Sequence, residues 1–273
     1  MKGRFVGIAV IALMFLALFA TGAPAADNLA KKQVLTMGFD AGDAKTLDPH
    51  MAATTVDRAT VDMVFNGLVR YPLGNQVGFE PDLAESWKVS EDGKSWTFKL
   101  KKGVKFHPFP GNEGYEMTSD DVVYSLQRAA DTKTSAYASE YSDLAFKAVD
   151  PATVEITVKK PMSETLFLAK VSNYAGGFIV SRKAIEAQGN DWFKMHPVGT
   201  GPFVFKSYEP QQKTTLTGNP RYFRGKPVLE EVVVRYMPSV SSREFGLRTG
   251  ELDIIEGLKE EQWMQKIGTF PLV

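Results

Sequence analysis

The residues Ser95-Trp96-Thr97-Phe98-Lys99-Leu100 alternate at period two, and Glu91-Asp92-Gly93-Lys94 precedes them as a turn signal of the Asp-Gly kind. Such alternation suits a strand with one face in a core, and Asp-Gly between two such runs signals a hairpin. The block therefore predicts a hairpin with Glu85–Val89 as its first arm and Ser95–Leu100 as its second. Trp96 and Phe98 fall on the buried face, Thr97 and Lys99 on the exposed one, and Trp87 joins the hairpin core.

Around this hairpin the patterns keep switching between strand and helix. Val34–Phe39 predicts a strand, and a loop holding Leu47-Asp48-Pro49-His50 follows it. Thr54 or Thr55 then caps a helix with Val56, Ala59, Met63 and Val64 on one face and Gly67 as its C′ residue. Thr118-Ser119-Asp120-Asp121 resembles a capping box, and Val122, Val123, Leu126 and Ala129 carry the apolar stripe to about Ala130. Val154–Val158 alternates as a strand, Pro161 and Ser163 open a helix through Leu166, Phe167 and Val171, and Ser181 caps one that Gly189 ends. Beyond Gly201 come strands over Phe203–Tyr208, Thr214–Thr217 and Glu230–Tyr236, with turns at Glu209-Pro210 and Gly218-Asn219-Pro220. Ser241 or Ser242 caps a helix closed by Gly250, Leu252–Ile255 is a short strand, and Lys259–Lys266 is a last helix. Strands and helices interspersed without strict β-α-β order predict mixed α/β lobes.

At 273 residues the chain has room for one or two domains. Lys plus Arg (32) equals Asp plus Glu (32), and the densest basic stretch, Lys99–Lys105, is broken by Gly and apolar residues. Tracking phosphates needs a local basic surplus, so nucleic acid is not an expected partner. Cysteine is absent, which excludes a disulfide framework, a thiolate zinc site, a Cys nucleophile and an acylated N-terminal Cys. A phosphate cradle needs glycines where backbone amides approach the anion. Asp92-Gly93-Lys94-Ser95 has Lys88 at the first required Gly, and Gly199-Thr200-Gly201 is followed by Val204. Neither a Gly-x-Ser-x-Gly elbow nor a His-Glu-x-x-His pair occurs, and His50, His107 and His196 are dispersed. The acid pairs Asp120/Asp121 and Glu260/Glu261 sit at helix starts, where solvation and the helix dipole account for them. No catalytic residue, metal ligand or cofactor is predicted.

The amino terminus carries an address. Lys2 and Arg4 precede Phe5–Ala20, 16 apolar or Gly residues, and Ala23-Pro24-Ala25 supplies the small residues a signal peptidase reads. The apolar run is shorter than the roughly 20 residues of a membrane span, so residues 1–25 are expected to be a cleaved secretory signal. Cleavage before Ala26 removes Lys2 and Arg4 and no acid, leaving a formal charge of −2. The expected location is the periplasm, without a lipid anchor.

Four blocks, in this order, carry a resemblance. The first is Thr46-Leu47-Asp48-Pro49 with Phe65-Asn66-Gly67-Leu68-Val69. The second runs Pro81-Asp82-Leu83-Ala84-Glu85-Ser86-Trp87, then Asp92-Gly93, Trp96–Leu100, Gly103-Val104-Lys105-Phe106-His107 and Asp120–Ser125. The third is Gly199-Thr200-Gly201-Pro202-Phe203 with Asn219–Pro227, and the fourth Gly250-Glu251-Leu252-Asp253-Ile254. Together they resemble the family 5 solute-binding proteins of ABC transporters, the dipeptide and oligopeptide receptors, over about residues 35 to 266. The resemblance implies a two-lobed periplasmic receptor of the type II binding-protein kind that closes on an extended ligand and docks on permease subunits in the inner membrane. It departs from the family at Pro108–Met117, a longer loop with Pro108, Pro110, Gly111 and Gly114.

By the same resemblance, residues 26–69 and 186–273 are expected to form an incomplete first ligand-binding lobe and 70–185 a smaller inserted α/β domain. The second lobe is expected to be missing, through truncation, separate encoding, or because the chain is a piece of a longer receptor. Extended peptides are held largely through backbone groups, so few charged specificity residues are needed. The segment after Leu-Asp-Pro, namely Ala53, Thr54, Thr55, Val56 and Asp57, is the expected first-lobe contact, or else a plain helix start. Tyr137 and Tyr141 stand where relatives bring an aromatic toward the ligand, and Phe245 occupies a helix position that faces either cleft or core. The expected solute is a di- or oligopeptide, with nickel chelate, haem, an oligosaccharide or an opine as alternatives. Outside the family, the alternatives are an exported hydrolase and an interaction fragment or non-functional remnant.

Overall fold

The computed structural model describes residues 30–75 and 77–270, so the expected export signal lies outside the described residues. Contacts divide the chain after Gln33, and every element below belongs to the unit from Val34 onward. In chain order come β1 (Val34–Phe39), α1 (Thr55–Val64), β2 (Val69–Arg70), β3 (Glu80–Pro81), β4 (Ala84–Val89) and β5 (Ser95–Leu100). Next are α2 (Ser119–Ala129), α3 (Ala138–Tyr141), β6 (Leu144–Asp150), β7 (Thr153–Val158), α4 (Glu164–Lys170), α5 (Arg182–Gln188) and α6 (Asn190–Phe193). The series closes with β8 (Phe203–Glu209), β9 (Lys213–Gly218), β10 (Glu231–Tyr236), α7 (Val240–Thr249), β11 (Ile254–Ile255) and α8 (Glu261–Ile267).

The strands form three sheets: a five-stranded one ordered β11-β1-β10-β9-β8, a four-stranded one ordered β4-β5-β7-β6, and the pair β2-β3. In the first, β1 runs parallel to both β10 and β11, while β9 is antiparallel to β10 and to β8. The carboxyl ends of β1, β10 and β11 therefore emerge on one side of the sheet. In open α/β sheets that side is where ligands lodge.

The four-stranded sheet is antiparallel throughout and contains the predicted hairpin. Gly93 takes φ 67°, the left-handed conformation its Asp-Gly turn requires. Trp96 pairs with Ile156 and Phe98 with Val154 across the β5–β7 ladder, and Phe167 of α4 stacks on Trp96 with centroids 4.2 Å apart. Both rings are fully buried, Lys99 is exposed, and Trp87 is half-buried with its Nε1 donating to Glu164 Oε1 at 3.0 Å. α2 packs on β6 and β7, opened by a capping box in which Asp121 accepts from the Thr118 backbone N–H at 2.9 Å.

Some expectations need correction. α1 stops at Val64, with Phe65 extended, so Gly67 is not its C′ residue. Gly67 is instead a close-approach site, where a Cβ would lie 2.3 Å from the Ser172 carbonyl oxygen. Ser239, not Ser241 or Ser242, caps α7 and accepts from Ser242 N at 3.3 Å. The strand β6 went unpredicted; it is an edge strand in which Leu144, Phe146 and Ala148 are half-buried and Ala145 and Val149 exposed. The long loop over Pro108–Met117 folds back on itself through the Phe109–Asn112 and Lys105–Glu116 bridges, and Tyr115 donates to Asp121 Oδ1 at 2.6 Å.

Polar residues of these motifs fasten one segment to another. Asn66 donates to Asp82 Oδ2 at 3.0 Å and accepts from Thr200 Oγ1 at 3.0 Å, and Arg224 Nε donates to Asp82 Oδ1 at 3.1 Å. A Cβ on Gly199 would meet the Val64 carbonyl oxygen at 2.1 Å, and the Gly201 N–H donates to that same oxygen at 2.8 Å. His107 Nε2 reaches Gly201 O at 2.9 Å, and burial depresses the imidazole pKa to about 4. In the Leu-Asp-Pro-His loop, Asp48 receives both arms of Arg128, at 3.1 and 2.5 Å. Arg128 also donates to His50 Nδ1 at 2.9 Å, so the neutral ring donates from Nε2 to Phe178 O at 3.0 Å. Burial lowers the His50 pKa to about 4, against the opposing pull of Asp48 and with help from Arg128.

Candidate ligand-binding site

At the carboxyl end of β1 the chain turns through residues 40–45, and with Ala53–Val56 and Glu256 this turn encloses a cavity of about 600 Å³. Three connections hold its walls. Thr54 caps α1, accepting from Asp57 N at 3.2 Å, and this fixes the direction in which Ala53–Val56 enter the helix. Asp57 is buried in the first turn, where the helix dipole favours an acid, and its Oδ1 accepts from Lys45 N at 3.1 Å. That bond ties the 40–45 turn to the helix start. Tyr208 fastens the turn by donating to Asp43, 2.8 Å from each carboxylate oxygen, and its hydroxyl pKa is pushed up to about 12, by desolvation first and by Asp43 second.

Beneath the cavity lies Arg243, fully buried on α7. Its Nε donates to Glu256 O at 2.9 Å, and its Nη1 donates to Met237 O at 2.5 Å and to Pro238 O at 3.1 Å. Its Nη2 stands 3.3 Å from Asp40 Oδ2, at ion-pair distance but outside hydrogen-bond alignment. One guanidinium thus gathers the segments that follow β1, β10 and β11. Glu256 Oε2 in turn accepts from Asp40 N at 3.0 Å. Each acid of the lining is engaged by the scaffold, Asp40 with Arg243, Asp43 with Tyr208 and Glu256 with the Asp40 amide, and Thr54 and Thr55 line the cavity with them.

Of the residues singled out from sequence, Ala53, Thr54, Thr55 and Val56 line this cavity, whereas Asp57 supports it from behind. Tyr137 is brought to the same loop: it is buried, and its hydroxyl donates to Ala52 O while accepting from Arg58 Nη2 at 2.8 Å. Tyr141 is not there. It is fully buried, donates to Lys170 O at 2.7 Å, and packs so tightly on Gly176 that a Cβ would lie 2.4 Å from its ring. Phe245 is 60 % exposed on α7 and does not line the cavity. Sequence reasoning missed the 40–45 turn, Glu256 and Arg243. The turn was findable, since it follows the carboxyl end of a predicted strand. Arg243 sits among Ser241, Ser242 and Glu244, a polar run that gives no hint of burial.

Several known proteins share this architecture. The chain superposes with a TM-score of 0.81 and 42 % identity on the binding protein MoaA of A. tumefaciens in complex with mannopinic acid, covering 86 % of this chain and 47 % of that one. It superposes with a TM-score of 0.77 and 29 % identity on the ABC transporter-associated periplasmic binding protein DppA of Helicobacter pylori in complex with a peptide, covering 85 % and 48 %. In sequence it is 31 % identical over 252 residues to the probable D,D-dipeptide-binding periplasmic protein DdpA of Escherichia coli, covering 90 % of this chain and 47 % of that protein. The fold is therefore that of the periplasmic binding proteins. Residues 78–269 match the bacterial extracellular solute-binding proteins, family 5 Middle, and the chain belongs to that family, whose members are binding proteins. The chain spans about half the length of the relatives it matches.

Proposed function

We propose that this chain supplies one wall of the solute-binding cleft of a periplasmic receptor serving an ABC importer. It is non-catalytic and hands its solute to permease subunits in the inner membrane. The observation that carries this reading is the cavity at the carboxyl ends of parallel strands, lined by a capped helix start and bounded by carboxylates. The expected solute is a di- or oligopeptide, whose ammonium and amide N–H groups suit Asp40, Glu256 and the threonine hydroxyls. A sugar-acid opine is the second reading, favoured by the 42 % identity to the mannopinic acid complex.

Within this reading, residues 26–69 and 186–273 form the ligand-binding lobe, residues 70–185 are a domain inserted in it, and the opposite wall comes from sequence outside this chain. Residues 1–25 direct export, so amino-terminal sequencing of secreted protein is expected to begin at Ala26. Calorimetric titration with di- to pentapeptides and with mannopinic acid tests the reading. A cleft with both walls and a micromolar Kd has about −8 kcal/mol, and one wall keeping half of that gives about −4 kcal/mol, a Kd of about millimolar. Saturable binding in that range supports the proposal. Absence of saturation by every solute overturns the receptor reading, and micromolar binding overturns the one-wall part of it.

A further inference from the structure

Arg58 stands one turn beyond the helix start that lines the cavity. It follows Thr55 by three residues and Thr54 by four, a spacing that puts it on their side of α1. Its guanidinium is exposed yet held: Nη2 donates to Tyr137 Oη at 2.8 Å, and the rings of Tyr137 and Tyr174 flank it at 5.7 and 5.4 Å. The two rings meet edge-on at 5.9 Å, and Tyr137 is itself fastened to Ala52 O beside the cavity loop. Tyr174 also lines a second cavity of about 410 Å³, bordered by Tyr71, Met162 and Leu166. Arg58 lines neither cavity itself; it stands one turn beyond the Thr54–Thr55 lining of the first and against Tyr174 of the second, a mainly apolar recess that Glu140 and Lys170 also border.

A guanidinium so placed would ordinarily be held by a carboxylate. Asp62, four residues on, instead accepts from Asn173 Nδ2 at 3.4 Å, and none of the ion pairs among the described residues includes Arg58. The tyrosine hydroxyl and ring contacts, together with Nε donating to Ala52 O at 3.5 Å, fix the position of the group without neutralising it. Donors remain on the fork that suit a carboxylate bidentately, and the ordering cost of the side chain is already met by its neighbours.

We infer that Arg58 recognises a carboxylate on the solute, with Tyr137 and Tyr174 as the positioning residues that hold it ready. This rests on the receptor reading above. A peptide carboxyl terminus and a sugar acid present the same group, so the test carries both.

The unmodified chain is titrated with trialanine, trialanine amide, gluconate and gluconamide, followed by NMR through the Arg58 Nε–Hε resonance and the backbone amides of Ala53–Val56. At least one acid is expected to bind about tenfold more tightly than its amide, and to move the Nε–Hε resonance where the amide does not. In Arg58→Gln that ratio falls to about one, while Arg58→Lys keeps part of it. Discrimination by trialanine alone points to a peptide terminus, by gluconate alone to a sugar acid. Acids and amides that bind alike in the unmodified chain, or an undiminished ratio in Arg58→Gln, overturn the role of Arg58 and leave the receptor reading standing. No binding of any of the four at the backbone amides overturns both. The Nε–Hε shift is read in the unmodified chain, so a poorly folding variant does not weaken the test.

Discussion

Asp48 and Thr54 stand six residues apart in one loop and are used in opposite ways. Asp48 is buried, chelated by Arg128, and shares that guanidinium with His50 and Asn190. Thr54 lines a cavity with Ala53, Thr55 and Val56 while its hydroxyl caps α1. The same contrast separates the four-stranded sheet from the cavity rim. Trp96, Phe98 and Phe167 must fit one another, and a buried polar group tolerates no substitute that leaves its partner unpaired. A rim that presents backbone constrains side-chain identity far less. The motif residues Asn66, Asp82, Gly199 and His107 accordingly serve as fasteners, whereas Ala53–Val56 carry no comparable side-chain network.

If that contrast is right, the largest losses of stability come from the signature residues. Arg128→Ala strands the Asp48 carboxylate in the interior and is expected to cost about 3 to 5 kcal/mol, as is Trp96→Ala, which empties a site stacked on Phe167. Urea titration measures both. A loss below about 1 kcal/mol in either would mean that the loop or hairpin is not packed as described and would break the comparison at its scaffold end.

The next effect is carried by pH. His50 and His107 both have folded pKa values lowered to about 4, chiefly by burial, against about 6.5 unfolded. As pH falls below 6.5 the unfolded chain takes up protons that the folded chain refuses, so stability drops between about pH 6.5 and 4 and is unaffected by these groups above that window. Each histidine is expected to contribute about 3 kcal/mol of loss by pH 4. Denaturant midpoints at pH 7.5, 6 and 5 check the sign: a midpoint that holds steady or rises on acidification shows that the imidazoles are not buried neutral.

What could be read from sequence follows the same division. Strand patterning, period-two alternation in β5 and β7 among it, located β1, β5, β7 and β10 to within a residue at either end, and side-chain caps located the starts of α1, α2, α4 and α5, because those signals are local. Gly67, Ser239 and β6 were misread or missed for different reasons: the glycine's role depends on distant Ser172, the cap on one choice among neighbouring serines, and β6 is an edge strand with no buried residue to mark it. The rim residues Ala53–Val56 were found through resemblance alone. Arg58 and Arg243 lie in predicted helices whose patterns mark the apolar face and not the role of a single arginine, and only the fold sets Arg58 against Tyr174 and Arg243 beneath the cavity.

The smallest stability effects, on this account, belong to the rim, and two adjacent threonines sharpen the point. Thr54 has a structural duty as the cap of α1, so Thr54→Ala is expected to cost about 1 kcal/mol through the lost bond to Asp57 N. Thr55 is exposed, is the first residue of the helix, and lines the cavity without a cap to make. Thr55→Ala should therefore leave the urea midpoint within about 0.5 kcal/mol of the unmodified chain. Its effect should surface instead in solute binding, where loss of one neutral hydrogen bond weakens affinity by about threefold to tenfold. Paired measurements on the two variants separate the roles of neighbouring residues with the same side chain. If Thr55→Ala lowers stability as much as Thr54→Ala and leaves binding unchanged, the helix start is scaffold throughout and the rim lies elsewhere.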